Sequence, residues 1–322
     1  MGTKDNATKA YMSNNTVFAD AFNFYLYQGE QVIKPEDLVE LDTTESVTIY
    51  EQNKNAAGSS EQRYRDVLKS AVIKQKDKTV YAILGIENQS DIHYAMPVKN
   101  LIYDGLQYGK QVNAAAAKHK EKKDMLSSAE FLSGFSKKDR LTPVITLVVY
   151  FGSERWDGAR SLHEMMDADD AKLLRYVQDY HINLIEPADL DSAELDKLTS
   201  SLREVLGYIK YSNNKQELLA FVNDNMMMDI EAARVINAVT NTHIDIPADA
   251  KEINMCKAIE DLINDSKEEG RLEGLAIGGK EKRANIVAFL MRIPNIELAE
   301  EIFGVSADEV MKLASDNGII IG

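Results

Sequence analysis

The segment Thr79-Val-Tyr-Ala-Ile-Leu-Gly-Ile-Glu-Asn-Gln-Ser90 limits the folds open to this chain more than any other stretch. It is an almost uninterrupted apolar run, short and bounded by polar residues, which is the pattern of a buried strand. Side chains along a strand alternate between faces, so Glu87 and Gln89 point one way and Asn88 the other. Two polar groups thus converge at the end of a buried strand, and the next question is what else meets them there.

Twenty-one positions upstream, Asp66 lies in Arg63-Tyr-Arg-Asp-Val-Leu-Lys-Ser-Ala-Val-Ile-Lys74, a second segment rich in β-branched residues. Pairing the two as adjacent antiparallel strands brings Asp66 beside Glu87. Two carboxylates plus a backbone carbonyl form an oxygen-only pocket, which suits Mg²⁺ or Mn²⁺ better than zinc, whose sites favour His and Cys. Such a metal activates water and stabilises phosphoryl charge. Taken singly, Asp66 also fits a turn carboxylate and Glu87 a strand-end residue paired with Arg65 or Lys99.

An Asp on one strand followed about twenty residues later by Glu-x-Gln on the next resembles the core of the PD-(D/E)XK nucleases. More specifically, the chain resembles the family of recombination-promoting nucleases and transposases. The matching pieces run in order: Phe18-Ala-Asp-Ala-Phe-Asn23, Arg65-Asp66, Gly85-Ile-Glu-Asn-Gln-Ser90, Tyr94-Ala-Met-Pro-Val-Lys99, Tyr103-Asp104 and Leu141-Thr-Pro-Val-Ile-Thr-Leu-Val-Val-Tyr-Phe-Gly152. The resemblance covers residues 13 to 165, and the Glu/Gly-rich stretch around Lys267 to Lys282 is also similar to the family's.

The resemblance implies an α/β fold, a restriction-endonuclease-like mixed sheet flanked by helices, followed by an α-helical C-terminal region. It implies a metal-dependent DNA endonuclease linked to recombination or mobile elements. Asp66 and Glu87 would ligate Mg²⁺ or Mn²⁺, Gln89 would orient the attacking water, and Asp20, at the family's acidic position on its first helix, would support the metal shell. The broader nuclease class carries a lysine where Gln89 stands. Glutamine can orient a water but supplies no positive charge, so the metal carries more of the load or another cation, Lys99 or Lys69, moves in. Asn23 stands where relatives often have Lys, and Asn88 where many have His; Asn88 faces away from Glu87 and should affect packing. The alternative reading is a non-catalytic nucleic-acid- or protein-binding module that kept the nuclease fold.

A net charge of −15 over 322 residues runs against a DNA-binding role until its distribution is considered. Residues 62–140 hold 15 Lys/Arg against 9 Asp/Glu, which leaves −21 for the rest of the chain. The basic part is thus the part with the motif. Lys118-His-Lys-Glu-Lys-Lys123 and Lys137-Lys-Asp-Arg140 can follow a DNA backbone, or they can be solvated ends of a helix. The five histidines lack ligand spacing and Cys256 is the single cysteine of the chain, so zinc and thiol catalysis lack support. A lone cysteine and the lack of an apolar run near 18 residues point to a cytoplasmic protein without a membrane span or signal peptide. Cutting both strands would call for a homodimer.

The spacing predicts a helix over Thr16 to Tyr27 ended by Gly29, a strand over 46–50 and a loop over Asn53 to Ser60. Strands follow near 65–75 and 79–87, then a helix entered at Pro97 and a fully apolar strand over Val144 to Phe151. Ile182 to Glu186 reads as a further strand, and Trp156 as a packing anchor where the central strand exits. The predicted nuclease-like domain spans 13–190, and an acidic helical region spans 191–322. Within the latter, Lys267 to Lys280, with glycines at 270, 274 and 278, reads as a connecting helix. Ile286 to Val310 reads as helix, turn, helix with Ser306 as an N-cap, a shape shared with DNA-reading motifs but carrying acidic residues.

Overall fold

The computed structural model describes residues 3–48, 60–75, 78–125, 127–168, 170–222, 226–240, 242, 244–247, 250–259, 279–292 and 295–319. The predicted loop at Asn53 to Ser60, apart from Ser60 itself, and the glycine-containing segment 267–278 lie outside these residues. The chain forms two compact units, Met1–Cys256 and Lys257–Gly322.

In the first unit, a five-stranded mixed sheet runs in the order β1 (Leu38–Glu40), β4 (Val67–Gln75), β5 (Lys78–Gln89), β6 (Val144–Tyr150), β7 (Asn183–Ile185). A separate antiparallel pair, β2 (Thr44–Thr48) with β3 (Ser60–Tyr64), precedes β4. The β4–β5 ladder is antiparallel with Val67 opposite Ile86, whereas β5, β6 and β7 run parallel. Parallel neighbours need a crossover, and the long helix α3 (Met96–Lys122) supplies it between β5 and β6. Strand β6, expected to be central, lies inside the sheet, and Leu147, Val148 and Val149 are fully buried. Burying one such side chain contributes about 1.5–3 kcal/mol relative to leaving it in water. Trp156 anchors the exit of β6 as expected, edge-on to Tyr150 at 5.4 Å and packed with Met96, Val148 and Ile182.

Helices α1 (Thr3–Ser13) and α2 (Asn15–Tyr27) come first in the chain. Asn14 caps α2 by accepting from the Thr16 N–H at 2.8 Å, and Gly29 follows its end with φ +92°, a conformation that glycine adopts at no steric cost. Asn23 on this helix is fully buried and pins the following loop: its Oδ1 accepts from the Ile33 N–H at 2.8 Å and its Nδ2 donates to the Ile33 carbonyl at 2.8 Å. A lysine there would have to bury an unpaired charge.

The rest of this unit comprises short helices α4 (Ser128–Ser133), α5 (Ala171–Leu174), α6 (Ser192–Leu195), α7 (Leu202–Tyr211), α8 (Lys215–Phe221) and α9 (Ile230–Thr240). A two-stranded ladder, β8 (Met227–Asp229) with β9 (Glu252–Asn254), accompanies α9. The first compact unit ends at Cys256 and includes these helices. The physical reason is that α7 and α9 complete the packing of α1 and α2. Leu202, Val205, Leu206, Val235 and Ile236 are all fully buried.

Behind the sheet sits a buried charge network. Arg65 is fully buried, with Nη1 donating to Thr146 Oγ1 at 2.5 Å and Nη2 to Asp104 Oδ1 at 2.9 Å. Asp104 also accepts from Thr146 Oγ1 at 2.6 Å and from the Tyr180 hydroxyl at 2.6 Å. The guanidinium crosses Gly85 so closely that a Cβ there would stand 2.3 Å from Arg65 Nη1. Since Arg65 is held at two nitrogens, Gly85→Ala is expected to cost about 1–3 kcal/mol of stability, measured by urea denaturation.

The second unit packs a helical stretch over 279–290 against the helices Ile296–Phe303 and Ala307–Asp316 around Ile286, Leu290, Ala299, Val310 and Ala314. Gly304 takes a left-handed conformation between the latter two, and Ser306 Oγ accepts from the Glu309 N–H at 3.4 Å, the expected N-cap.

Candidate active site

The β4–β5 register brings the two predicted carboxylates together. Asp66 lies one step beyond the Val67–Ile86 pair, at the position facing Glu87, and its Oδ2 accepts from the Asn88 N–H at 2.8 Å. Asp66 is half-buried, whereas Glu87 is fully buried. The two are close enough for the charge of Asp66 to disfavour ionisation of Glu87.

Lys99 completes the arrangement. It belongs to the first turn of α3, which Pro97 enters without leaving an N–H unsatisfied, and this turn follows directly on the strand end that presents Glu87. Lys99 Nζ lies 2.8 Å from Glu87 Oε2 as an ion pair, and neither buried oxygen of Glu87 has an aligned hydrogen-bond donor among the described residues. Burial pushes the Glu87 carboxyl up to about 7, against the pull of Lys99 and helped by the nearby Asp66 charge. Burial also raises Asp66, opposed by the Asn88 N–H and by Lys99. Burial alone would lower Lys99, but Glu87 more than offsets it and holds the ammonium protonated.

Gln89 stands on the same strand face as Glu87, half-buried, with its Nε2 donating to the Asn88 carbonyl at 2.9 Å. Donation toward the backbone fixes the amide and leaves its oxygen as an acceptor. Asn88 is buried, with neither side-chain atom hydrogen-bonded among the described residues.

Lys69, the other cation considered for this site, is used elsewhere. Its ammonium donates to the Ser13 carbonyl at 2.5 Å and to Asn15 Oδ1, and lies over the Phe18 ring, so it ties β4 to the junction of α1 and α2.

Asp20 is engaged by residues far along the chain. Rather than turning toward Asp66 and Glu87, its carboxylate accepts from Thr199 N–H and Oγ1 and from Ser200 N–H and Oγ, at 2.7–3.1 Å. These donors lie 179 and 180 residues away and just before α7. Four donors saturate the buried carboxylate, which makes it a tie between α2 and the segment that leads into α7.

Glu87 pairs with Lys99 and not with Arg65, the other cation that the sequence allows it. Arg65 instead serves the Asp104–Thr146–Tyr180 network, in which Asp104 and Thr146 lie 39 and 81 residues further along the chain. Only the proximity of Arg65 to Asp66 and the Tyr103-Asp104 pair hints at it in the sequence.

Whether the site fits a divalent cation can be judged from its donors. A buried carboxylate oxygen without a donor, beside a second carboxylate and with no thiolate or imidazole bonded to either, matches hard oxygen-binding Mg²⁺ or Mn²⁺. Among the described residues no three His, Cys, Asp or Glu side chains form a complete cage. Magnesium sites commonly have that composition, with one or two carboxylates and the remaining positions taken by water and substrate phosphate.

The α/β sheet thus gathers two carboxylates and a lysine at the end of a buried strand. The chain belongs to the family described as "Putative transposase, YhgA-like", which matches residues 5–235. No curated protein matches it. No solved structure matches it. No described helix is long and apolar enough to cross a membrane.

Proposed function

We propose that this protein is a metal-dependent DNA endonuclease acting in recombination or in mobile-element movement, as the family's description suggests. The observation that carries the proposal is Glu87: a fully buried carboxylate whose oxygens lack hydrogen-bond donors among the described residues, set against Asp66 and the Lys99 ammonium. Burying such a charge is unfavourable for folding, which is what a site kept for function would tolerate.

Asp66 and Glu87 would hold Mg²⁺ or Mn²⁺. When bound, the metal activates water and neutralises phosphoryl charge. Gln89 orients the attacking water through its free amide oxygen. Lys99 supplies the positive charge that Gln89 cannot, donating to a non-bridging phosphate oxygen as negative charge builds up on it. Water would add to phosphorus in line with the departing sugar oxygen while giving up a proton to solvent; the P–O bond to that oxygen breaks, and the released oxygen takes a proton from water. Cutting both strands of a duplex would engage two copies of the chain.

The reading is tested with supercoiled plasmid. The natural chain with Mn²⁺ or Mg²⁺ should produce nicked or linear DNA, and EDTA or Asp66→Ala should prevent it. DNA binding that needs no metal and is indifferent to Asp66→Ala, without cleavage, would instead support a non-catalytic binding module. Lys99→Met is expected to lower kcat by about 10²–10³ with little change in KM, and Lys99→Arg to restore part of it. Unaltered turnover in Lys99→Met would remove Lys99 from the mechanism.

A further inference from the structure

The far end of α3 carries a second feature. After α3 ends at Lys122, the chain folds back as a hairpin through α4 to Arg140 and is clasped onto the helix. His119 makes both contacts of the clasp, with Nδ1 2.6 Å from Asp124 Oδ1 and Nε2 2.8 Å from Asp139 Oδ2. A neutral imidazole has one N–H, so two carboxylates at these distances engage an imidazolium donating from both nitrogens. Asp139 also accepts from the Ser136 N–H at 2.7 Å, and Ser127 caps α4 by accepting from the Glu130 N–H at 3.2 Å. Gly134, left-handed at φ +67°, comes so near α3 that a Cβ would stand 2.6 Å from the Ala116 Cβ.

This well-tied hairpin nevertheless exposes its apolar tip. Phe131 is 81% exposed and Leu132 90%. Lys120 and Lys123 line one concavity with Phe131, and Lys118, Lys122, Lys137, Lys138 and Arg140 lie on the same helix end and hairpin; all seven are exposed, and among the described residues none of them forms an ion pair. Two apolar side chains are too small a patch for a stable contact between protein copies, which takes about 1,000 Å². Seven exposed cations on the segment that carries an aromatic tip, on a chain of net charge −15, complement a polyanion with a stackable interior.

We propose that the α3–α4 hairpin is a duplex-DNA docking element: the cations take phosphates of the backbone, and Phe131 and Leu132 wedge into the minor groove at a base step. The inference rests on the DNA-cleavage reading and extends it to a second contact. His119 lies 20 residues beyond Lys99, about 30 Å along the helix, so the wedge would engage DNA about one helical turn from the cut.

The test uses the full chain in EDTA, where cutting is prevented, with a 30-base-pair duplex carrying 2-aminopurine at successive steps. The natural chain should raise the probe's fluorescence at one step. Phe131→Ser with Leu132→Ser, which removes only exposed side chains, should abolish that signal and weaken binding about tenfold. Replacing Lys120, Lys122 and Lys123 by Ala should flatten the log–log salt dependence by about 0.9 for each phosphate that is no longer neutralised.

If the double variant binds and unstacks DNA like the natural chain, the wedge is refuted while the nuclease reading stands. If neither chain binds DNA and neither cleaves plasmid with Mn²⁺, both readings fall. Capture of the natural chain, but not the double variant, by vesicles of anionic phospholipid, with no 2-aminopurine response, would assign the tip to a membrane surface and overturn the proposal.

Discussion

Glu87→Gln is expected to abolish cleavage and at the same time to stabilise the metal-free protein above pH 7 by up to about 3 kcal/mol. The sign follows from the raised carboxyl. Folded Glu87 titrates at about 7 against an ordinary value of 4.5, because burial penalises its charged form. Between those values the folded state holds a proton that the unfolded chain has released, so stability falls as pH rises through the window and levels off above it. A displacement of that size corresponds to about 3 kcal/mol, an upper figure for a group coupled to Lys99 and Asp66. Glutamine mimics the neutral carboxyl and still offers Lys99 an oxygen. Urea denaturation of the two proteins should therefore coincide at pH 4.5 and separate at pH 8, with the variant the more stable. A variant less stable at pH 8 would mean that the Lys99 pairing outweighs the burial of Glu87.

Asp104→Ala is expected to have the largest effect on folding. It strips the fully buried Arg65 of its only carboxylate partner among the described residues and removes the acceptor for the hydroxyls of Thr146 and Tyr180. Removing one member of a buried ion pair costs about 3–5 kcal/mol, because the remaining charge is left uncompensated. Domain stabilities are about 5–15 kcal/mol, so the variant should denature at far lower urea and accumulate poorly. Asp104→Asn, which keeps an acceptor oxygen, should lose less. A loss under about 1 kcal/mol for Asp104→Ala would show that Arg65 finds another acceptor or solvent. Burial and the nearby Asp104 charge hold the Tyr180 hydroxyl far above its ordinary range, so it stays a donor at any pH where the protein folds.

What could be read from the sequence followed the range of the interactions. The Asp66–Glu87 approach was legible because it depends on alternation along one strand and on pairing with the strand next to it in sequence. The buried strands at 79–86 and 144–151 were legible from their apolar runs, while the mixed sheet that joins them was implied by the family resemblance. Lys99 was only half visible: its neighbourhood to Glu87 needs the turn at residues 90–95 and the first turn of α3. The partners of Asp20 were hidden because helical position says nothing about residues 179 positions away, and Thr199 and Ser200 belong to no motif. The same distance hid the end of the first unit, since residues 191–256 look like a separate acidic helical segment until α7 and α9 are placed against α1 and α2. The α4 hairpin gave no sequence signal beyond its lysines, because exposure of Phe131 and Leu132 is a property of the fold.

The most direct test of the central claim is plasmid nicking by the natural chain and by Glu87→Gln from parallel preparations, with Mn²⁺ and with EDTA. Melting is recorded on the same samples. The account predicts nicking by the natural chain in Mn²⁺ alone, and none by a variant that melts higher than the natural chain in EDTA at pH 8. Nicking that persists in the folded variant would contradict a metal site at Asp66 and Glu87.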